Sequence, residues 1–520
     1  MSRPQSYYQL YSLFVLVVMI YYKLFNQIGM IRRKSNTSFL VLFCVSQVIA
    51  QPVRLKLSRQ VNVPNYNHYS PSLTADGMTI IYASDYYPSE GNKAELKLCQ
   101  AKGTDNWGAV EEITPINKSG NLNQFGGHCI SADGNTIYFS SRKTGGVAGF
   151  DIWASNKKNN VWATPYNLGK PLNSEGMEGF PSLSPDGKSM YFVRCQTMDN
   201  KSCEGCKVYV SESKGKDLWK EAMLLPSSIN QGNVVYPRIL KDNKTLLFSS
   251  NKPGGKGGYD LYVSQKEGNT WSEPKNLSQI NTTEDEMFAD MSIQTDALTY
   301  ASFTEGYWTL YKAKLAEEFQ PDPVLLVSGK VANSDGKPVA ASMQISDNRS
   351  SSPLSMASLV SGSKFAVVLP AEREYDIAFL PGNDLFFWSS TLSAFNLTRS
   401  RKEEVDILLE TVRPGKVCHG NKALFDSTTY QLLTGANLEC KRISKFIQAH
   451  ASSSAEIILF PSGVAVNKPA EPTTAFESMK ATLQAELVKA GLAADKIVIS
   501  NGFGTVEEEN NYSGWGLRLQ

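Results

Sequence analysis

From about residue 68 to residue 315 the apolar residues fall in short alternating runs, each ended by a turn signal. In Thr136–Ser140 the alternation puts Ile137 and Phe139 on one face, the period of a half-buried strand. Before it, Gly127–Ser131 reads as a strand, and Ala132-Asp133-Gly134-Asn135 as a tight hairpin turn, since glycine adopts positive φ cheaply. After it come a glycine-rich connection, a third strand over Phe150–Ser155, and Trp162–Leu168 leading into a fourth. Helical periodicity is rare until the last hundred or so residues.

This four-strand unit repeats. The Asp-Gly turn stands at Asp76-Gly77, Asp133-Gly134 and Asp186-Gly187, then degrades to Asp242-Asn243 and Asp296-Ala297, at steps of 57, 53, 56 and 54 residues. A tryptophan follows each of the first four turns (Trp107, Trp162, Trp219, Trp271), and an apolar-Asn pair closes each unit at Asn117, Asn173, Asn230 and Asn281. Three markers keeping step define a true repeat. One such sheet cannot bury both its faces, so the units must cover one another, as in a β-propeller. Five units are countable over residues 51–320, and Arg54–Val63 is expected to add a strand that closes the ring. The tryptophans are expected to wedge between blades. The run Gly254–Gly258 lacks the Lys-Ser or Lys-Thr and the helix of a phosphate loop, and reads as a hairpin connection. Asp151 and Asp260 are expected to accept from neighbouring loop amides, with calcium in a channel as the alternative. Tyr69-Ser-Pro-Ser-Leu-Thr-Ala-Asp-Gly77, Phe180-Pro-Ser-Leu-Ser-Pro-Asp-Gly187, Gly149-Phe-Asp-Ile-Trp153 and Gly258-Tyr-Asp-Leu-Tyr262 resemble the TolB-type, WD40-like propeller repeats of bacterial envelope proteins.

Pro321-Asp-Pro323 marks a boundary. Residues 324–411 predict a small β-sandwich: a strand from Leu326, a Gly turn, Pro338-Val339, then strands at Ala341–Ser346, Lys364–Leu369 and Tyr375–Leu380. This resembles the carboxypeptidase-regulatory-like sandwich, a spacer or docking platform. Residues 412–520 are mixed α/β, with a short strand at Ala423–Asp426, a helix over Asn437–Ala449, a strand at Glu456–Phe460, a helix opened by the Thr474/Glu477 capping box and ended by Gly491, and strands at Lys496–Ser500 and Trp515–Leu519. That order, with Phe425-Asp426, Gly502-Phe-Gly504 and Arg518, resembles the OmpA-like peptidoglycan-binding domain. The family grips the wall peptide with an Asp after the middle strand and an Arg on the following helix, a carboxylate for the ligand's ammonium and a guanidinium for its carboxylate. Here those positions fall near Ser462-Gly463 and on Met479, so either wall binding is lost or other residues such as Lys480 and Arg518 serve.

Composition narrows the function. Lys+Arg is 52 against Asp+Glu 50, without the basic excess of a nucleic-acid binder. Met30, Arg32, Arg33 and Lys34 precede an apolar run from Phe39 to Ala50, which reads as a secretory signal over residues 30–50, cleaved before Gln51. Residues 1–29 then read as an upstream extension from a misassigned start codon, with a membrane anchor through Leu13–Leu24 as the alternative. Export permits disulfides. Cys195, Cys203 and Cys206 crowd one loop, where a staple is favoured over zinc or redox chemistry for Cys203-x-x-Cys206, and Cys418 and Cys440 are a second candidate pair. No catalytic residue, metal or cofactor is expected. There is no Gly-x-Ser-x-Gly elbow, and of four histidines only His128 lies beside a predicted inner strand. The order of modules is similar to that of a peptidoglycan-associated component of the Bacteroidetes type IX secretion machinery. The resemblance implies a non-enzymatic periplasmic scaffold associated with the outer membrane, the propeller docking a protein partner. A sugar- or peptide-binding propeller mouth near Tyr69, Phe125, Phe180, Tyr236 and Phe288 is the alternative, with a hydrolase behind it.

Overall fold

The structure is a computed structural model that describes residues 54–519 except for some short stretches and the longer ones at 461–473 and 503–513. The expected signal and upstream extension, Phe125 and Ser462-Gly463 lie outside the described residues. The chain is mainly β, and no helix among the described residues is long and apolar enough to cross a membrane.

The repeat folds as a propeller of antiparallel sheets in chain order. In the third sheet Met177–Leu183 is innermost, followed outward by Ser189–Cys195, Lys207–Gly215 and the short Leu218–Trp219. The sheets that start with His68–Leu73, His128–Ile130 and Val234–Ile239 follow the same order. The last differs. From Glu286–Asp290 it runs through Ala297–Thr304 and Tyr307–Lys314 to Leu55–Lys56, a strand from the other end of the propeller sequence. First and last units therefore share one sheet.

Successive sheets are tied together around the axis through their innermost strands and, from the second sheet, through Ser140 of its second strand. Ile130 N–H donates to Ser72 Oγ, Ser140 Oγ to the Glu178 carbonyl and Ile239 N–H to Ser182 Oγ. Arg238 pairs with Asp290, and Asp290 accepts from Leu73 N–H, which returns the circuit to the first sheet. The Asp-Gly turns owe their regularity to a hydroxyl two residues upstream. Ser131 Oγ donates to Asp133 at 2.5 Å and accepts from Thr136 N–H at 2.9 Å, with Gly134 at φ 72°. Thr74 and Ser184 do the same in their sheets.

The apolar-Asn pairs have a specific task. Asn173, Asn230 and Asn281 each accept from and donate to the backbone of one residue in the third strand of their own sheet, Ile152, Val208 and Leu261. Asn62 does so to Leu310, at 2.9 Å in both directions. Val61-Asn62 is thus a further copy of the marker, carried at the start of the propeller sequence to finish its last sheet. The tryptophans pack between sheets. Trp271 meets Tyr191 edge-on, and Trp219 lies in a core with Tyr138, Ile152 and Phe192.

Residues 324–411 form two facing sheets. One joins Lys364–Pro370, Val324–Asn333, Arg401–Glu404 and Ile407–Leu409; the other joins Pro353–Leu359, Ala341–Asp347, Glu374–Pro381 and Trp388–Ser393. Their core includes Leu325, Met343, Phe365, Ile377 and Phe379. Beyond it, helices α1 (Ala436–Ala449) and α2 (Thr474–Lys489) cover a sheet ordered Val417–His419, Trp515–Leu519, Ala455–Leu459, Ile497–Asn501. Ala423–Asp426 is not a strand. Among the described residues a single bridge, Phe425 to Leu432, forms there, because Asp426 turns the chain by accepting from the Thr428 and Thr429 amides.

Candidate functional site

The alternative reading placed a ligand mouth at the propeller axis, and the described residues there fill it. Phe180, Tyr236 and Phe288 sit at equivalent bulges of successive inner strands, with φ of 53°, 51° and 62°. Such φ values are costly for bulky residues and persist only where packing dictates them. Here they turn the rings into the axis. Phe180 and Tyr236 centroids lie 4.1 Å apart, Tyr236 and Phe288 4.0 Å, and Tyr69 and Phe288 5.7 Å. All four are buried, and the space left beside Phe180, Tyr236 and Phe288 is about 10 Å³, too small for a sugar or peptide. The second sheet supplies Gly127 at the matching position, because a Cβ there would stand 2.8 Å from Phe180 Cδ1.

Beneath the rings lie buried polar groups. His128 is buried, with Nε2 3.3 Å from the Ile81 carbonyl, and burial drives its pKa down to about 3. Arg238 faces Asp290 at 3.7 Å, and burial raises the Asp290 carboxyl against that pull. Below them is a small cavity, and Val368 of the sandwich lines its floor. Val324, Leu326 and Val368 form a shared apolar cluster with Ile293, Ala75 and Ala132 of the propeller. The axis is therefore filled at its middle and covered at one end.

The other expected site residues scatter. Asp260 accepts from the Lys256 and Gly257 amides and from Asn276 with both its oxygens, whereas Asp151 accepts from the Val147 amide and from Asn167 through Oδ2 alone, and its buried Oδ1 has no hydrogen-bond partner among the described residues. Cys206 bonds Cys195, not Cys203. Arg194 and Lys207 are cross-strand partners, so Cys195 and Cys206 come next to each other at the end of that ladder, whereas Cys203 lies on the adjoining two-residue strand. Cys418 and Cys440 are separate buried thiols, one on a strand and one on α1, both raised by burial, to about 11 and about 12. Met479 is buried in the core of its module, Lys480 follows it on α2, and Arg518 is held by Glu456 at 3.1 Å.

One constellation escaped the sequence reading. Asp376 of the sandwich, fully buried, takes Lys422 at 2.6 Å and the guanidinium of Arg442, both from the C-terminal module. Arg442 also pairs with Glu439 at 2.8 Å, and Ser389 of the sandwich donates to Glu439. Burial raises the Glu439 carboxyl against the pull of Arg442. Two cations and two anions balance, which is the condition under which buried charges are tolerable. Phe386 and Phe387 enter the C-terminal core beside Trp515.

No family model and no curated protein matches the chain. Solved structures similar to it include a TolB-type protein from Agrobacterium tumefaciens (15% identity, 58% of this chain and 90% of that one, TM-score 0.29). Others are an endo-arabinase from Bacteroides thetaiotaomicron (14%, 50% and 99%, TM-score 0.37) and an α-L-arabinofuranosidase from Lactobacillus brevis (13%, 51% and 96%, TM-score 0.35). The propeller assignment rests on the strand order and axial bonds above, not on these likenesses.

Proposed function

We propose that this chain is an exported, non-enzymatic scaffold of the cell envelope. A five-bladed propeller presents its rim to a protein partner, and the sandwich fastens it to a degenerate OmpA-like module at the cell wall or outer membrane, in the manner of a secretion-machinery component. The observation that carries this reading is the filled axis. With Tyr69, Phe180, Tyr236 and Phe288 packed on one another, the propeller surfaces left for function are rims and loops, and rigid blades hold such loops well. The buried Asp376 cluster supports transmission of position between modules. Burial of Met479 and the engagement of Arg518 by Glu456 favour loss of the family's wall-peptide grip.

Fractionation of native envelopes followed by co-purification and mass spectrometry tests the reading. A stoichiometric protein partner in the outer-membrane fraction is expected, with little retention of the purified protein on peptidoglycan. Recovery alone from the soluble fraction, or turnover in a glycosidase and peptidase screen, would refute it.

A further inference from the structure

Between α1 and the sandwich lies a cleft of 360 Å³, within the roughly 300–1,000 Å³ typical of small-ligand sites. Its lining mixes polar side chains, among them Gln344, Ser346 and Ser351 of the sandwich, with apolar ones. Leu380, Leu385 and Phe387 line it from the sandwich side, and Leu438 and Phe446 from α1. Phe446 is fixed edge-on against Phe386 at 5.0 Å, so the aromatic wall is rigid. Positions 438, 441, 442, 445, 446 and 449 follow helical spacing, which sets Lys441 and Lys445 on the same side of α1 as Leu438 and Phe446.

The charges are one-sided. Lys441, Arg442 and Lys445 line the cleft, and among the described residues no Asp or Glu does. The Arg442 guanidinium is spent on Asp376 and Glu439. Lys441 and Lys445 are exposed, and among the described residues neither is paired with a carboxylate. An apolar slot with two unneutralised ammonium groups at its mouth complements a ligand with an alkyl tail and an anionic head.

We propose that this cleft binds a single-chain fatty-acid-type carboxylate, its tail against Phe387, Leu438 and Phe446 and its head between Lys441 and Lys445. The proposal does not depend on the scaffold reading. Titration calorimetry of the whole protein with dodecanoate, below its micellar concentration, is the test. One-to-one binding is expected, strengthening about fourfold per methylene from octanoate to dodecanoate. Dodecyl maltoside should bind about tenfold more weakly, and the double variant Lys441→Glu/Lys445→Glu should weaken dodecanoate by at least about tenfold at an unchanged melting temperature. Should that variant melt early, Lys441→Gln/Lys445→Gln replaces it with the same expectation. Absence of saturable binding, equal affinity for the maltoside, or affinity untouched by loss of both lysines would overturn the proposal.

Discussion

Single residues decide whether the axis closes. Gly127 occupies a left-handed position where the other inner strands carry larger side chains, and Phe180 leaves no room for a Cβ. Gly127→Ala should cost about 1–3 kcal/mol in chemical denaturation, from the backbone and the overlap together. His128 gives the axis a pH signature. Its folded pKa of about 3 lies below the unfolded value of 6.5, so between these values the unfolded chain holds the extra proton. Stability is then lost as pH falls through that window, by up to about 1.4 kcal/mol per pH unit from this group. His128→Gln should flatten the fall measured between pH 6.5 and 4.5; an unchanged slope would mean that the imidazole charges freely in the folded state.

At the scale of the strand and sheet, the Asn clamp of Asn62, Asn173, Asn230 and Asn281 does for its sheet what a cap does for a helix, bonding both backbone groups of one residue. Asn281→Ala leaves the buried Leu261 amide and carbonyl without those bonds and should cost about 2–4 kcal/mol. Asn62→Ala removes the same bonds to Leu310, but at the seam between the two ends of the propeller. Amide exchange after that substitution should quicken first in Leu55–Lys56 and Tyr307–Lys314. Strand positions were largely readable from the sequence, because period-two alternation and Asp-Gly turns are local signals, and Trp515–Leu519 is a strand as expected. Closure was expected from Arg54–Val63, but the marker in Val61-Asn62 went unrecognised, since it precedes the first turn instead of following one. The partner of Cys206 depended on strand register, which the crowding of three cysteines does not reveal.

For the whole molecule, coupling between modules was the least legible feature. Asp376 meets residues 46 and 66 positions away, and nothing local distinguishes it from a surface aspartate. The repeat-initial aromatics were singled out by position, but a lined pocket and a packed plug share the same residues, and only the ring-to-ring distances separate them. Asp376→Asn strips the charge that balances Lys422 and Arg442 and should cost about 3–5 kcal/mol. In a melt followed by limited proteolysis, the sandwich and C-terminal module should loosen together while the propeller core persists. The most direct test of the scaffold claim is lysine cross-linking of intact cells with mass-spectrometric mapping. The account predicts repeated links from propeller loops to one or a few envelope proteins, lost when those loops are shaved; links confined to the chain itself would contradict it.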